Sequence, residues 1–221
     1  MTTFYDRQEA GRQLARYLMR YAGDCNTIVL ALPRGGVPVA YEVAAALRAP
    51  LDIYIVRKLG APGHEELAIG ALAADGSCVV DEAAVRYLGV SPRMLEEIVQ
   101  RELLELKRRE LAYRGNRPEP DVRGKTVVVV DDGLATGATM TSVVRALRQK
   151  HPAKIIVAVP VGSQEAVEAL GNVADGVIAV DIPHEFLAVG HRYRNFSQTS
   201  DEEVRELLER ARKERASWNA A

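Results

Sequence analysis

Two adjacent carboxylates, Asp131 and Asp132, stand where a strongly apolar segment meets a run of small and hydroxyl residues. The four valines at 127–130 predict a buried parallel strand, because consecutive β-branched residues suit a sheet that is covered on both faces. The loop at 133–139 opens an apolar-periodic helix that we predict to end near Lys150. Such a turn directs backbone N–H groups and the positive end of a helix at one point, which suits a phosphate. Carboxylates beside it can accept sugar hydroxyls, so the pattern predicts a sugar-phosphate ligand.

The segment 127–139 closely resembles the phosphoribosyl-pyrophosphate (PRPP) motif of the type I phosphoribosyltransferases, which is an apolar strand, two acidic residues and a short loop ending Thr-Gly. The chain contains neither G-x-x-x-x-G-K-[ST] nor G-x-G-x-x-G. The alternative is a buried strand whose Asp caps the next helix, but capping uses one Asp. The resemblance implies that Asp131 and Asp132 bind the ribose hydroxyls. It also implies a 5′-phosphate site formed by Ala135, Thr136, Gly137, Ala138 and Thr139.

A second loop, Pro33-Arg34-Gly35-Gly36, follows the first predicted strand and precedes a helix. Two glycines let the backbone approach a ligand closely, and Arg34 adds a fixed positive charge. Taken alone, the loop could equally be a tight turn with a surface arginine. Beside a PRPP motif it is similar to the pyrophosphate loop of the family, in which backbone amides and often a non-proline cis peptide meet the diphosphate. The resemblance therefore assigns Arg34, Gly35 and Gly36 to pyrophosphate binding.

A third segment begins with Arg57 and Lys58 at the predicted end of the strand 51–56 and continues into a Gly/Pro-rich stretch at 59–68. Its composition predicts a mobile loop, and the segment is similar to the catalytic loop of the family. Cations at this point would neutralise the charge that accumulates on departing pyrophosphate, and a closing loop would exclude water. The alternative is a pair of exposed basic residues, and we assign no role to the glutamates of the loop.

The stretch 182–191 resembles the hood that covers the acceptor base in hypoxanthine-type members. The resemblance implies that Phe186 stacks on a flat acceptor and that Leu187 supplies backbone polar contacts, although single aromatic residues are often core residues. Purine-type members carry a lysine where this chain has 159–161, Val-Pro-Val, and an acidic residue where it has 191–194, His-Arg-Tyr-Arg. These departures argue against a 6-oxopurine acceptor.

Strands that alternate with helices predict an α/β fold with a doubly wound, mostly parallel sheet, whose ligands bind at the carboxyl ends of the strands. We expect a single phosphoribosyltransferase domain over 1–221, with a hood at about 181–199. A hairpin is predicted around the turn at 74–76. A long charged helix is predicted to begin at Ser91-Pro92, within a helical elaboration at about 82–120 to which we assign no chemistry.

The composition is ordinary for a soluble globular protein, with 48% hydrophobic and 27% charged residues among 221. The net charge of −1 gives no reason to expect a nucleic-acid partner. No apolar run approaches the length of a membrane span, and no signal core is present, so we expect a cytoplasmic protein. Cys25 and Cys78 lack metal-ligand spacing and are predicted to be inert, core-filling residues of a reducing compartment.

These patterns together predict a phosphoribosyltransferase that uses Mg²⁺-bound PRPP and an unidentified small-molecule acceptor, a nitrogen heterocycle or nucleobase. Mg²⁺ would be held mainly through PRPP and water, with no direct protein ligand. A homodimer is implied by the resemblance alone. The rival interpretation is a regulator that senses PRPP and has lost transfer activity. A sugar-phosphate hydrolase is a third interpretation, but the sequence offers no recognisable nucleophile or water-activating metal cluster for it.

Overall fold

Two sheets organise the protein, and the computed structural model describes residues 3–74 and 76–218, apart from the side chains at positions 64–66 and 68. The larger sheet has five parallel strands in the order β2-β1-β6-β7-β8, and the smaller has three antiparallel strands in the order β3-β4-β5. The strands are β1 (Thr27–Ala31), β2 (Leu51–Ile53), β3 (Val56–Ala61), β4 (His64–Ala73), β5 (Cys78–Val80), β6 (Thr126–Val130), β7 (Lys154–Val161) and β8 (Gly176–Asp181).

Helices cover both faces of the parallel sheet, which confirms the predicted α/β class. The α-helices are α1 (Arg7–Leu18), α2 (Gly36–Leu47), α3 (Glu82–Tyr87), α4 (Pro92–Arg114), α5 (Ala138–Arg148), α6 (Gln164–Gly171) and α7 (Asp201–Trp218). Two short 3₁₀ helices lie at Met19–Tyr21 and Val189–Arg192. Apart from the second of these, the stretch 182–199 is irregular, as predicted.

The central strand β6 shows why four consecutive valines belong here. Val127 and Val129 are fully buried against α5 and α6, whereas Val128 and Val130 are fully buried in the cluster that α1, α2 and α7 share. Alternate side chains of a strand point to opposite faces, so a strand covered on both faces must be apolar throughout. The strand therefore has four valines after Thr126 at its start, and the acidic pair follows directly past its carboxyl end.

The predicted loop at 59–68 is wrong, because most of that segment is β-structure. β3 and β4 pair antiparallel, with irregular register on both sides of Gly60. The strand predicted over 51–56 stops at Ile53, and Arg57 and Lys58 lie within β3 rather than in a loop. The predicted hairpin between β4 and β5 is confirmed by their antiparallel pairing, although Asp75 of its turn lies outside the described residues.

The helix α4 begins as predicted, since the Ser91 hydroxyl accepts the Met94 N–H and Pro92 occupies the first turn. Its last residue, Arg114, is buried and fixes the helix to β2. The Arg114 Nε lies 3.1 Å from Asp52 Oδ1, its terminal nitrogen donates to Ile53 O at 2.8 Å, and Glu110 is a further partner. These contacts place the last turns of α4 beside the carboxyl end of β2.

The cysteine prediction is half right. Cys25 and Cys78 are free, but both are exposed rather than core-filling. Among the described helices, none is long and apolar enough to cross a membrane.

Replacing Arg114 with methionine tests the attachment of α4. Removing the buried Arg114 guanidinium takes away the cation that pairs with Asp52 and the donor to the Ile53 carbonyl, so we expect the free energy of unfolding to fall by about 2–3 kcal/mol. Urea unfolding measures it. Arg93→Met on the same helix removes an exposed pair with Glu97 and should cost less than about 0.5 kcal/mol. Equal effects of the two variants would contradict this role of Arg114.

Candidate functional site

The acidic pair and the loop 33–36 meet because their strands are neighbours. β1 and β6 pair in parallel with Ala31 opposite Val130, and the Leu32 N–H donates to Val130 O at 2.9 Å. Both chains therefore leave the sheet at the same edge and side by side. The Pro33–Arg34 peptide is cis, as in the pyrophosphate loop that this segment resembles.

The two glycines of the loop lie against the acidic residues. A Cβ atom at Gly35 would be 2.0 Å from Asp132 Oδ2, and one at Gly36 would be 2.7 Å from Val130 O and 2.9 Å from Asp131 Cα. No side chain fits at either position without displacing the loop or the carboxylates. The sequence motif Gly-Gly is thus explained by close approach to Asp131 and Asp132.

Asp132 is held by a residue that the sequence analysis missed. Arg7, in the first turn of α1, donates from Nε to Asp132 Oδ2 at 2.8 Å and from a terminal nitrogen to Ser197 O at 2.6 Å. Its guanidinium carbon lies 4.0 Å from the centre of the Phe196 ring, a cation–π contact. Nothing in the sequence links positions 7 and 132, which only the fold brings together.

Tyr193 supports the same residue from the other side. Its hydroxyl donates to the backbone oxygen of Asp132 at 2.6 Å, and its ring packs between Phe4 and Phe196 with centroids at 5.6 and 5.0 Å. Tyr193 falls in the stretch 191–194, which the sequence marks as a departure from the purine-type pattern. The absence of the acidic residue of the purine-type pattern was therefore the one sequence signal that pointed to a different role for Tyr193.

The carboxyl groups lie side by side and are mostly shielded from solvent, and this raises the pKa of both. For Asp131 the causes are burial and then repulsion from Asp132, against which the hydrogen bond from the Asp132 N–H and the charge of Arg7 act. For Asp132 burial raises the pKa, whereas Arg7 opposes that rise by its charge and its hydrogen bond. The pair is therefore costly to ionise and well suited to partners that favour the charged form.

The loop after the acidic pair has the geometry of an anion cradle. Hydrogen bonds to the end of β7 and the residues after it hold this loop in place. The Leu134 N–H donates to Val161 O at 2.9 Å, and the Ser163 hydroxyl donates to Ala135 O at 2.7 Å. Gly137 has φ +71°, a left-handed conformation that favours glycine, and α5 starts at the next residue. The first bond of the helix runs from Thr141 N–H to Gly137 O, so the amides of 138–140 point out of its start. Ala135, Thr136, Ala138 and Thr139 are exposed.

The predicted cations lie around two neighbouring cavities. Arg34 and Thr139 both line a cavity of about 270 Å³, and the Arg34 guanidinium lies 3.7 Å from Asp201 Oδ1. Arg57 and Lys58 line a second cavity of about 600 Å³ between β3 and α4. There the Arg57 Nε is paired with Glu102 at 2.5 Å. The structure therefore brings Arg34 next to Thr139 of the predicted phosphate loop and sets Arg57 and Lys58 in the adjoining groove.

The predicted hood lies over the acidic turn, but its two named residues differ in environment. A Cβ atom at Gly133 would be 2.5 Å from a Val189 methyl, which shows how closely the hood packs on the turn. Phe186 is half-buried against the cluster of Phe4 and Tyr193. Leu187 is 79% exposed. The Phe186 ring is thus partly a packing element.

The sequence profile of the phosphoribosyl transferase domain matches residues 2–193. The chain belongs to the phosphoribosyl transferase domain family.

Among individual relatives, a Mycobacterium tuberculosis protein, named provisionally as a phosphoribosyl transferase in two strains, is 43% identical over the whole chain. The chain spans about half (49%) of that protein's length. The crystal structure of TT1426 from Thermus thermophilus superposes with a TM-score of 0.85 at 43% identity, over 93% of this chain and 97% of that one.

Gly35→Ala tests the close approach of the loop to Asp132. The added methyl would overlap a carboxylate that Arg7 holds in place, so we expect the free energy of unfolding to fall by about 1–3 kcal/mol, measured by urea unfolding. Gly171→Ala is the matched control, because a Cβ there meets nothing within 4 Å, and it should not destabilise. Equal stability of the two variants would show that the loop and Asp132 are further apart.

Asp131→Asn tests the cost of burying the acidic pair. The raised pKa means that ionisation weakens the folded state, and an asparagine oxygen can still accept the Asp132 N–H. We expect the variant to be more stable than the parent at pH 7–8 by roughly 1 kcal/mol, the size of a typical stabilising substitution.

The stability difference should shrink as the pH falls and disappear below about 4, where the carboxyl is protonated in the folded and the unfolded chain. Chemical unfolding at several pH values measures this difference. Asp121→Asn, at an exposed position, should leave the stability curve unchanged. A variant at Asp131 that is less stable than the parent at pH 8 would contradict the assignment of a buried charge.

Proposed function

We propose that this chain transfers the 5-phosphoribosyl group of Mg²⁺-bound PRPP to a nitrogen-heterocycle acceptor and releases pyrophosphate. One observation carries the proposal. Asp132 lies against Gly35 and Asp131 against Gly36, and the loop that follows the pair leads to the exposed start of α5. Hydroxyl acceptors, a diphosphate loop and a phosphate cradle therefore share one edge of the sheet.

In this reaction the bond between ribose C1 and the pyrophosphate oxygen breaks, and its electron pair leaves with pyrophosphate. A lone pair of the acceptor nitrogen forms the new bond to C1, and the N–H proton that the heterocycle then loses passes to water or to the released pyrophosphate. Positive charge develops on the ribose ring in between, so electrostatics and positioning carry the catalysis. Asp131 and Asp132 would bind the 2′ and 3′ hydroxyls and place negative charge beside the ring.

The phosphates would be held at two loops. Backbone amides of 135–139 and the hydroxyls of Thr136 and Thr139 would hold the 5′-phosphate at the start of α5, where the helix dipole favours an anion. Arg34 and the amides of Gly35 and Gly36 would hold the diphosphate. Arg57 and Lys58 would add positive charge from β3.

Arg7 gives Asp132 a fixed orientation in this scheme. It occupies Oδ2, and Oδ1 is the oxygen that would accept a ribose hydroxyl. Because Arg7 also opposes the rise in the pKa of Asp132, it favours the carboxylate form that accepts hydrogen bonds.

The residues of the site fit a hydrated Mg²⁺. Carboxylate oxygens are the donors that this ion prefers, and a small, strongly hydrated ion takes few protein ligands when phosphates are present. Among the described residues there is no group of three or more His, Cys, Asp or Glu that could hold a metal. Asp131 and Asp132 are the acidic residues of the site that would hold the hydrated ion through its water molecules. When bound, Mg²⁺ would neutralise charge on the leaving diphosphate.

The acceptor would lie under the hood, against the ring of Phe186 and the backbone of Leu187. The stretch 159–161 that replaces the purine-type lysine is apolar, and Val159 and Val161 are fully buried. Tyr193, in the stretch that replaces the acidic residue, has its hydroxyl on Asp132 O. The first stretch offers no lysine and the second no acidic residue to a 6-oxopurine, so we propose a different heterocycle.

Pyrophosphate release from Mg²⁺-PRPP, with pooled nucleobases and related heterocycles, tests the proposal. We expect acceptor-dependent release by the unchanged chain. The double variant Asp131→Asn with Asp132→Asn should lose it by at least about 10²-fold, since the charge next to the ribose is gone. Asp121→Asn should retain full activity.

Two results would contradict this assignment. Turnover by the double variant near the level of the unchanged chain would exclude the acidic pair. No release above the acceptor-free control with any pooled heterocycle, together with a PRPP-dependent shift of DNA or RNA in a gel, would instead support a PRPP-sensing regulator.

A further inference from the structure

The helix α4 contributes directly to the wall of the cavity beside Arg34. Arg108, Arg109, Ala112 and Tyr113 line it, and they lie opposite Arg34 and Thr139. The helix comes from the elaboration at 82–120, to which the sequence analysis assigns no chemistry. The cavity thus joins the pyrophosphate loop, the start of α5 and an arginine pair from a part of the chain with no assigned function.

The charges around this cavity are unbalanced. Arg108 and Arg109 share one carboxylate: the Arg108 Nε lies 2.8 Å from Glu105 Oε2, and the Arg109 Nε lies 2.8 Å from Glu105 Oε1. Their hydrogen bonds hold the pKa of Glu105 at about 2, so it stays ionised. Two guanidinium groups against one carboxylate leave a surplus positive charge, to which Arg34 adds, while Asp201 is the acidic residue of the lining.

Arg109 occupies the position between the two sets of predicted cations. Val56 and Arg109 line both the cavity of Arg34 and the groove of Arg57 and Lys58. Within that groove the Arg57 guanidinium is already paired with Glu102. An anion that extends from Arg34 towards β3 would therefore meet Arg109 before it meets Arg57.

Arg109 is mounted on a helix that the core holds in place. Leu106 and Tyr113 are buried, and Arg114 anchors the end of the helix to β2. The Tyr113 hydroxyl donates to Asp201 Oδ1 at 2.6 Å, and the same oxygen lies 3.7 Å from Arg34. Asp201 thus connects α4 with the loop of Arg34 before any ligand binds, and such preorganisation lowers the entropic cost of binding.

We propose that Arg109 binds the diphosphate group of PRPP and of released pyrophosphate, opposite Arg34. This inference rests on the proposed function and adds to it a residue from outside the family's motifs. The planar guanidinium can donate two parallel hydrogen bonds to a phosphate, and a surplus positive charge favours an anion over a neutral ligand. In this account Arg109 of α4 adds a positive charge next to the leaving diphosphate, beside those of Arg57 and Lys58. The ion pair of Arg57 with Glu102 links β3 to α4.

Binding of inorganic pyrophosphate to the full chain in the presence of Mg²⁺, measured by titration calorimetry, tests the inference. We expect Arg109→Gln to weaken binding by about tenfold or more, since hydrogen bonds to charged groups are among the strongest. Arg109→Lys keeps the charge and loses the bidentate geometry, so it should recover part of the affinity. Arg93→Gln makes the same change on the same helix at an exposed pair remote from the cavity lining and should bind like the parent.

The outcomes separate this inference from the function on which it rests. If the unchanged chain binds pyrophosphate and turns over PRPP, but Arg109→Gln binds pyrophosphate as tightly as Arg93→Gln, the role of Arg109 is wrong and the transferase assignment stands. If the unchanged chain neither binds pyrophosphate nor releases it from PRPP with any acceptor, both are wrong. Arg109 is 46% exposed, so its replacement should leave the fold intact, and a thermal melt of each variant checks this.

Discussion

Two carboxyl groups, Asp131 and Asp132, lie side by side where the apolar strand β6 ends, and burying both is the constraint around which the neighbouring elements are arranged. Like charges in a low-dielectric environment raise each other's pKa, and the protein compensates only in part. Arg7 reaches from the first turn of α1 to one of them, and Tyr193 fixes the backbone between hood and strand. Two carboxylates whose charge is only partly balanced favour hydroxyl donors and cations as ligands. Ligand binding would supply the hydrogen bonds and positive charge that the folded chain does not.

Positively charged side chains lie at the same edge of the parallel sheet, on the side away from the hood. The loop of Arg34 lies beside the acidic pair in the fold because β1 pairs with β6. Arg109 is carried by the helix α4, which Arg114 attaches to β2. Sugar hydroxyls and diphosphate require opposite electrostatic environments a few bonds apart. The sheet edge provides both, because each strand end carries a different loop and because α4 covers the basic side while the hood covers the acidic side.

The sequence predicts most of the fold and the motif-bearing part of the site, for identifiable reasons. The valines of β6 and the Gly-Gly loop are local sequence patterns, and the structure explains them by the helices on both sheet faces and by the close approach of the loop to Asp131 and Asp132. The strand pairing of β3 with β4 was missed because its glycines and proline have the composition of a loop, while long-range pairing overrides that preference. Arg7 was missed because its partner is 125 residues away. The sequence offers no reason to single out Arg109, because dense charges on a helix are typical of a solvent-exposed face and only the fold shows its neighbours.

A crystal structure of the Mg²⁺-PRPP complex tests most directly the claim that the ends of β1 and β6 form one substrate site together with the helix α4. The account predicts the ribose hydroxyls on Asp131 and Asp132, the 5′-phosphate on the amides that begin α5, and the diphosphate between Arg34 and Arg109. PRPP bound elsewhere, or bound here with its diphosphate turned towards the hood, would contradict it.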